Sequence, residues 1–142
     1  MMNQKARMHT AEHILTAVMR RLFGSPRNLE MHLGEKKSKG DYAVPRPILD
    51  KDVAAIERAV NAEIMKDDRV SFEVLSIEAA RASYDLWKVP PGAETIRIVF
   101  IGGFDATPCS GEHVKHTAQV GQFRIKSYSM KDDSTVRIRF SV

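Results

Sequence analysis

The sequence lacks the features that would anchor it in a membrane or cross-link it covalently. Among its 142 residues there is one cysteine, which excludes an intramolecular disulfide and suits a reducing compartment. No apolar run approaches the roughly 20 residues that a membrane-spanning helix requires. Residues 1–7 are basic, but no apolar signal core follows them. These absences predict a cytoplasmic protein with no membrane partner.

A strong excess of one charge is also missing. The net charge is +4 and the isoelectric point is about 9.3, which suits an acidic partner such as RNA but is common in proteins that bind no nucleic acid. Apolar residues make up 43% of the chain and charged residues 28%, as in ordinary globular proteins. The length allows one domain with a real core. A single domain over residues 1–142 is therefore expected.

The N-terminal part of the chain has the pattern of an amphipathic helix over residues 5–23. One apolar stripe recurs at steps of three and four, formed by Met8, Ala11, Leu15, Val18 and Leu22. At about 100° per residue, His9 and His13 fall nearly opposite this stripe. Two histidines four apart on one helix face can reach a single metal ion. The alternative is a pair of solvated surface histidines.

The remaining pattern predicts helices mixed with short strands. A hairpin is expected over residues 28–45, a helix over 51–67 with Asp50 as its N-cap, and a strand over 70–75. Ser76 is expected to cap a short helix, and residues 88–93 to form a loop before a strand at 95–101. Residues 122–128 and 135–142 are expected to pair as strands. This order indicates an α+β fold with helices packed on a mainly antiparallel sheet.

A second possible ligand pair lies near the other end of the sequence, in Cys109-Ser110-Gly111-Glu112-His113. With His9 and His13 it gives three imidazoles and one thiolate, a set that suits zinc. About 95 residues separate the pairs, so the metal would tie the first helix to a distant loop. His116 and His32 are further histidines, and His116 is expected to be exposed or to lie behind the ligands.

Two other interpretations of these motifs stay open. His9-x-x-Glu12-His13 matches the pattern of zinc peptidases in which the glutamate is the general base. Cys109 is also a candidate nucleophile with His113 or His116 as its base.

The paired motifs resemble those of a known family. The residues that carry this resemblance are His9-Thr10-Ala11-Glu12-His13-Ile14-Leu15, then Pro108-Cys109-Ser110-Gly111-Glu112-His113-Val114, followed by Thr117, Val120-Gly121 and Phe123-Arg124-Ile125. In these residues the chain is similar to the editing domain shared by alanyl- and threonyl-tRNA synthetases and its free-standing AlaX-type relatives. The similarity runs from about residue 5 to 140.

This resemblance implies a two-layer α+β editing fold in which His9, His13, Cys109 and His113 bind zinc. It implies hydrolysis of the ester that joins a wrong amino acid to the 3′ adenosine of tRNA. In the family the usual target is serine or glycine on alanine tRNA; in the threonyl branch it is serine on threonine tRNA. The partner implied here is mischarged alanine tRNA, with Ser-tRNA(Ala) as the expected substrate, and a homo-oligomer is possible.

The resemblance also assigns roles to further side chains. Thr10 matches a family threonine expected to face the amino-acid pocket, and Asp105 lies just upstream of the second motif. Glu12, Asp105 and Glu112 are the candidate catalytic carboxylates, and Arg137 is a candidate substrate contact.

The sequence departs from the family pattern at three points. Glu112 replaces a family threonine, the paired arginines after a glycine are not reproduced, and the N-terminal barrel domain of longer AlaX forms is not expected. A non-catalytic zinc-containing RNA-binding module is the alternative function.

Overall fold

The computed structural model describes residues 3–87 and 89–142, which form an α+β fold, as predicted. Its elements in chain order are α1 (Gln4–Phe23), β1 (Asn28–His32), β2 (Ser38–Ala43), α2 (Asp50–Met65), β3 (Val70–Ser76), α3 (Ile77–Arg81), β4 (Thr95–Ile101), β5 (Asp105–Pro108), a 3-10 turn (Thr117–Val120), β6 (Arg124–Asp132) and β7 (Thr135–Ser141). Lys88, the first residue of the predicted loop at 88–93, lies outside the described residues. Within the described ranges, no helix has the length and apolarity needed to cross a bilayer.

The strands form two antiparallel sheets instead of the one sheet that was expected. One sheet has the order β1-β2-β7-β6, and the other has the order β3-β4-β5. The predicted hairpins over 28–45 and 122–142 are confirmed, and they pair with each other through β2 and β7. The second sheet forms because β3, β4 and β5 pair with their neighbours along the chain. The strand β5 and the 3-10 turn were not predicted.

The core lies between helices α1 and α2 and the inner face of the four-stranded sheet. Alternate residues of the central strands are fully buried there, namely Tyr42, Val136, Ile138 and Phe140. The apolar stripe predicted for α1 is buried from Met8 to Val18, whereas Leu22 in the last turn is 46% exposed. The opposite side of α1 is buried as well, including His13, because β5 and the loop after it pack there.

Local side-chain contacts set the ends of the two long helices. The Asn3 Oδ1 atom accepts a hydrogen bond from the backbone N–H of Ala6, and Gly24 ends α1 in the left-handed conformation with φ 72°. Helix α2 begins at Asp50, so the prediction of Asp50 as its N-cap was wrong. Leu49 is the N-cap residue, and its backbone N–H donates a hydrogen bond to the Asp52 carboxylate at 2.8 Å.

The hairpin of β4 and β5 delivers the second motif to helix α1. Gly102 turns the chain with φ 49°, and β5 then runs antiparallel to β4 as far as Pro108. Cys109 follows directly, and its backbone N–H donates to the carbonyl of Arg97 on β4 at 3.0 Å. The Cys109 segment is therefore fixed to a paired strand.

One carboxyl group in the core carries an electrostatic cost. Glu63, near the end of α2, is 1% exposed, and its Oε2 atom lies 3.5 Å from the Lys66 ammonium. Burial, followed by the neighbouring Asp68 carboxyl, raises the pKa of Glu63 to about 7 from the usual 4.5. Between pH 4.5 and about 7, Glu63 therefore keeps its proton in the folded protein but loses it in the unfolded chain. The free energy of unfolding of the protein therefore falls as the pH rises from about 4.5 to about 7, and it does not recover at higher pH.

Glu63→Gln should remove this pH dependence. At pH 8 the variant should be more stable than the wild type by about 3 kcal/mol, since the buried charge is gone. At pH 4.5, where the wild-type carboxyl is protonated, the two proteins should differ little. Urea unfolding at both pH values measures this, and Glu78→Gln provides a control at an exposed carboxyl. Equal gains at both pH values would contradict the assignment.

Candidate metal centre and adjoining cavity

Four side chains from the two motifs converge on one point. The ligand atoms of His9, His13, Cys109 and His113 all lie within 4.8 Å of one another. The ring centres of His9 and His113 are 4.5 Å apart, as are those of His13 and His113. The Cys109 Sγ atom lies 3.2 Å from His9 Nε2. Three nitrogens and one sulfur around a common point are a donor set for a tetrahedral metal ion.

Thr10 lies behind the cluster and fixes the orientation of one ligand. Its hydroxyl donates to the carbonyl of Ala6 at 2.9 Å and accepts the backbone N–H of Val114 at 3.2 Å. His113 Nδ1 is 3.0 Å from the same oxygen. Since the only hydroxyl proton is already used, the Nδ1–H of His113 must be the donor. The buried Nε2 atom of His113, which has no hydrogen bond among the described residues, is then the atom left for a metal.

Arg97 holds the loop that carries Cys109. Its Nε atom donates to the Cys109 carbonyl at 2.8 Å, and an Nη2–H donates to the carbonyl of Gly111. The Gly111 N–H in turn donates to the Cys109 sulfur at 3.3 Å. Arg97 was not predicted as a site residue. The sequence carried a signal for it, because the alternation of β4 places Arg97 on the same side as the buried Val99 and Ile101.

Burial suits these ligands to a metal cation. It lowers the pKa of His113 to about 3, so the imidazole is neutral, as metal binding requires. Burial also raises the pKa of the Cys109 thiol. A dication beside the sulfur reverses this effect, because it stabilises the thiolate directly.

A cavity of about 1090 Å³ opens beside the cluster. Its lining includes His9, His13 and Cys109, together with Glu12 and Asn28. Glu12 is 7% exposed; its Oε1 atom accepts a hydrogen bond from Asn28 Nδ2 at 2.9 Å, and its Oε2 atom is 3.7 Å from His13 Nε2. One predicted carboxylate is thus held in a fixed orientation next to the ligands.

Asp105 lies close to the cluster but outside the cavity lining of the described residues. Its Oδ2 atom is 4.0 Å from His13 Nδ1 and accepts a hydrogen bond from the Thr107 hydroxyl at 2.7 Å. Arg20 Nη1 is 3.4 Å from Oδ1. Burial raises the pKa of Asp105. This geometry places the carboxylate behind a ligand.

Two other predicted residues are not brought to the cluster. Glu112 is exposed and accepts a hydrogen bond from Asn3, the residue that caps α1. Arg137 lies on β7, where it donates two hydrogen bonds to the Asp41 carboxylate at 2.8 and 3.0 Å. Neither residue lines the cavity in the described part of the chain.

The further histidines also lie elsewhere. His116 is half exposed, with its Nδ1 atom 3.9 Å from Asp67, and His32 is exposed on β1. Thr10 is fully buried and lies outside the cavity lining of the described residues, so its hydroxyl serves the ligand shell described above.

Comparison with known proteins points to one family. Residues 96–139 match the family model described as "Threonyl and Alanyl tRNA synthetase second additional domain". The chain is 30% identical over 138 residues to an alanine–tRNA ligase of Aeropyrum pernix, with 94% of this chain and 15% of the relative covered. It is 34% identical over 132 residues to an alanine–tRNA ligase of Hydrogenovibrio crunogenus, with 87% and 14% covered.

A third alanine–tRNA ligase, from Pseudothermotoga lettingae, is 32% identical over 136 residues, with 94% of this chain and 16% of the relative covered. The chain thus spans about 15% of the length of the curated relatives it matches. The second ligand pair lies inside the matched residues 96–139, and the alignments extend over nearly the whole chain. Through these residues the chain belongs to the family of the threonyl- and alanyl-tRNA synthetase second additional domain.

Proposed function

We propose that this domain hydrolyses the ester between a wrong amino acid and tRNA, with Ser-tRNA(Ala) as its main substrate and zinc as its cofactor. The observation that carries the proposal is a cluster of four metal-type ligands, three of which line a cavity together with one fixed carboxylate. The similarity to alanine–tRNA ligases supports an RNA substrate charged with a small amino acid.

The packing around the cluster supports a metal ligand set. Gly111 lies against the His9 ring, so that a methyl group at residue 111 would overlap the imidazole. The ring would have to shift from its present position beside Cys109 and His113. Together with the buried His113 Nε2 atom, this contact indicates that the four positions are built for one shared ion. Three nitrogens and one thiolate favour zinc over oxygen-seeking metals.

Glu12 is the residue that we assign to proton transfer. Zinc, when bound, supplies a Lewis acid beside the ester carbonyl. The Glu12 carboxylate is fixed by Asn28 and faces the same cavity, so it can orient a water molecule and accept its proton as the water attacks. An aminoacyl ester is already activated, and orientation of the water is the main requirement.

The other predicted residues receive positioning roles or none. Thr10 orients His113 through its hydroxyl, which replaces the expected contact with the substrate serine. Asp105 lies where it can orient His13. Glu112 and Arg137 have no contact with the cavity among the described residues and no proposed role in the chemistry.

The contact between Cys109 and His9 leaves a second chemistry to be tested. A sulfur 3.2 Å from an imidazole nitrogen is the geometry of a thiol–histidine nucleophile pair. Burial raises the pKa of this thiol, however, and a nucleophilic cysteine needs a lowered one.

Deacylation should depend on Glu12. We expect the zinc-loaded protein to release serine from Ser-tRNA(Ala) and to spare Ala-tRNA(Ala), with Ser-tRNA(Thr) as a third substrate for comparison. Glu12→Gln should lower kcat by about 10²- to 10⁴-fold with zinc content unchanged, because proton transfer is lost. Glu78→Gln is the control at an exposed carboxyl.

Two results would contradict this assignment. Full activity of Glu12→Gln would remove its role, and a large loss in Glu112→Gln would move the role to that carboxylate. Full activity of the metal-free protein, lost in Cys109→Ala, would indicate the thiol nucleophile instead.

Zinc affinity should depend on the glycine beside His9. Gly111→Ala should weaken zinc binding by about 10- to 100-fold, because the methyl group displaces a ligand ring. Gly103→Ala is the matched control, since a methyl group there meets no atom within 4 Å. Competition with a chromophoric chelator measures both affinities. Equal zinc affinity in the two variants would mean that His9 is not held in the ligand set.

A further inference from the structure

The cavity beside the cluster is larger than an aminoacyl group requires. Its volume of about 1090 Å³ lies just above the range for pockets that bind whole small-molecule ligands, about 300–1,000 Å³. A seryl ester next to the cluster leaves most of this space to another part of the substrate. The chemistry of the remaining lining therefore indicates what that part is.

An aromatic and cationic group forms part of that lining. Trp87, Arg27 and Asp85 all border the cavity. Asp85 and Trp87 lie in the loop between α3 and β4, and Arg27 lies between α1 and β1. The Trp87 side chain is 44% exposed, which is high for the largest apolar side chain. The indole is therefore accessible to a molecule bound in the cavity.

Asp85 organises this group through both of its carboxylate oxygens. Its Oδ1 atom accepts the backbone N–H of Trp87 at 3.2 Å, and its Oδ2 atom forms an ion pair with Arg27, 2.9 Å from Nε. The Arg27 guanidinium lies 5.0 Å from the centre of the Trp87 ring, within the range of a cation–π contact. The indole is thus held at a defined place on the cavity wall.

A held indole beside an arginine is suited to a nucleobase. Single-stranded RNA is bound by stacking bases on aromatic rings, with arginine nearby for the phosphate. Three arginines and two carboxylates lie in the described lining, so the excess charge is positive: Arg20, Arg27, Arg97, Glu12 and Asp85. A nucleotide fits this surface better than an acidic peptide or an apolar ligand.

We infer that Trp87, held by Asp85 and Arg27, is the stacking platform for the base of the substrate's 3′-terminal nucleotide. The stacked base would hold the adjoining ester over the ligand cluster in the same cavity. This inference rests on the proposed function and adds a substrate-binding residue to it. The platform is sequence-tolerant, so it would anchor the end of the RNA without selecting the tRNA.

Binding can be tested without catalysis because Trp87 is the only tryptophan of the chain. Titration with the trinucleotide 5′-CCA-3′ should quench the intrinsic fluorescence saturably. The same trinucleotide with an abasic 3′ residue should bind more weakly and quench less, since the stacking base is missing. Equal quenching by both would place the base elsewhere and overturn the platform.

Kinetics then separate stacking from a structural role of the side chain. Trp87→Leu should lower kcat/KM for Ser-tRNA(Ala) by about 5- to 150-fold through KM, the loss expected for one stacked base. Trp87→Phe, which retains an aromatic face, should recover most of it. On serine ethyl ester, which carries no base, the wild type and Trp87→Leu should be equal. A matching loss on the ethyl ester, or no rescue by phenylalanine, would contradict stacking.

The two proposals can fail separately. Saturable quenching without deacylation of any tested tRNA would retain the nucleotide platform and overturn the proposed hydrolysis. Rapid deacylation with no quenching, and with an unchanged KM in Trp87→Leu, would retain the hydrolysis and overturn the platform.

Discussion

The close contact between helix α1 and the loop after β5 is the constraint on which the rest of the structure depends. Thr10 joins the two segments, because its single hydroxyl contacts Ala6 within the helix and both His113 and Val114 in the loop. Gly111 permits the approach, since its missing side chain leaves room for the His9 ring. The two sheets and the core hold these segments at the distance where four ligands can meet.

This arrangement places the ligands in an environment that favours a cation. Burial lowers the pKa of His113, so its imidazole stays neutral, and raises the pKa of the Cys109 thiol, so its thiolate needs a positive neighbour. On one side the cluster is closed by Thr10 and Asp105. On the other it opens to the cavity, where Glu12 is held by a hydrogen bond. Thr10 and Asp105, which lie next to ligands, are thus outside the cavity lining of the described residues, whereas Glu12 is part of it.

Local patterns in the sequence were enough to predict helix α1, both hairpins and each of the two residue pairs that the structure brings together, because each depends on spacing within a few residues. Roles that depend on how distant segments pack were not predictable. The direction of the Thr10 hydroxyl follows from the seating of α1 against the loop, and the exposure of Glu112 follows from its contact with the helix cap. The alternation of buried residues along β4 indicated that Arg97 faces the same side as the buried Val99 and Ile101. Trp87 lies in an irregular loop, where no periodicity indicates a face.

In the proposed function the two distant motifs form one metal centre. X-ray absorption spectroscopy of the protein reconstituted with one equivalent of zinc tests it most directly, because this method identifies the atoms bound to the ion. We expect three nitrogen donors at about 2.0–2.1 Å and one sulfur at about 2.3 Å. A zinc shell of nitrogen and oxygen donors alone, without sulfur, would contradict it, since Cys109 would then not belong to the site.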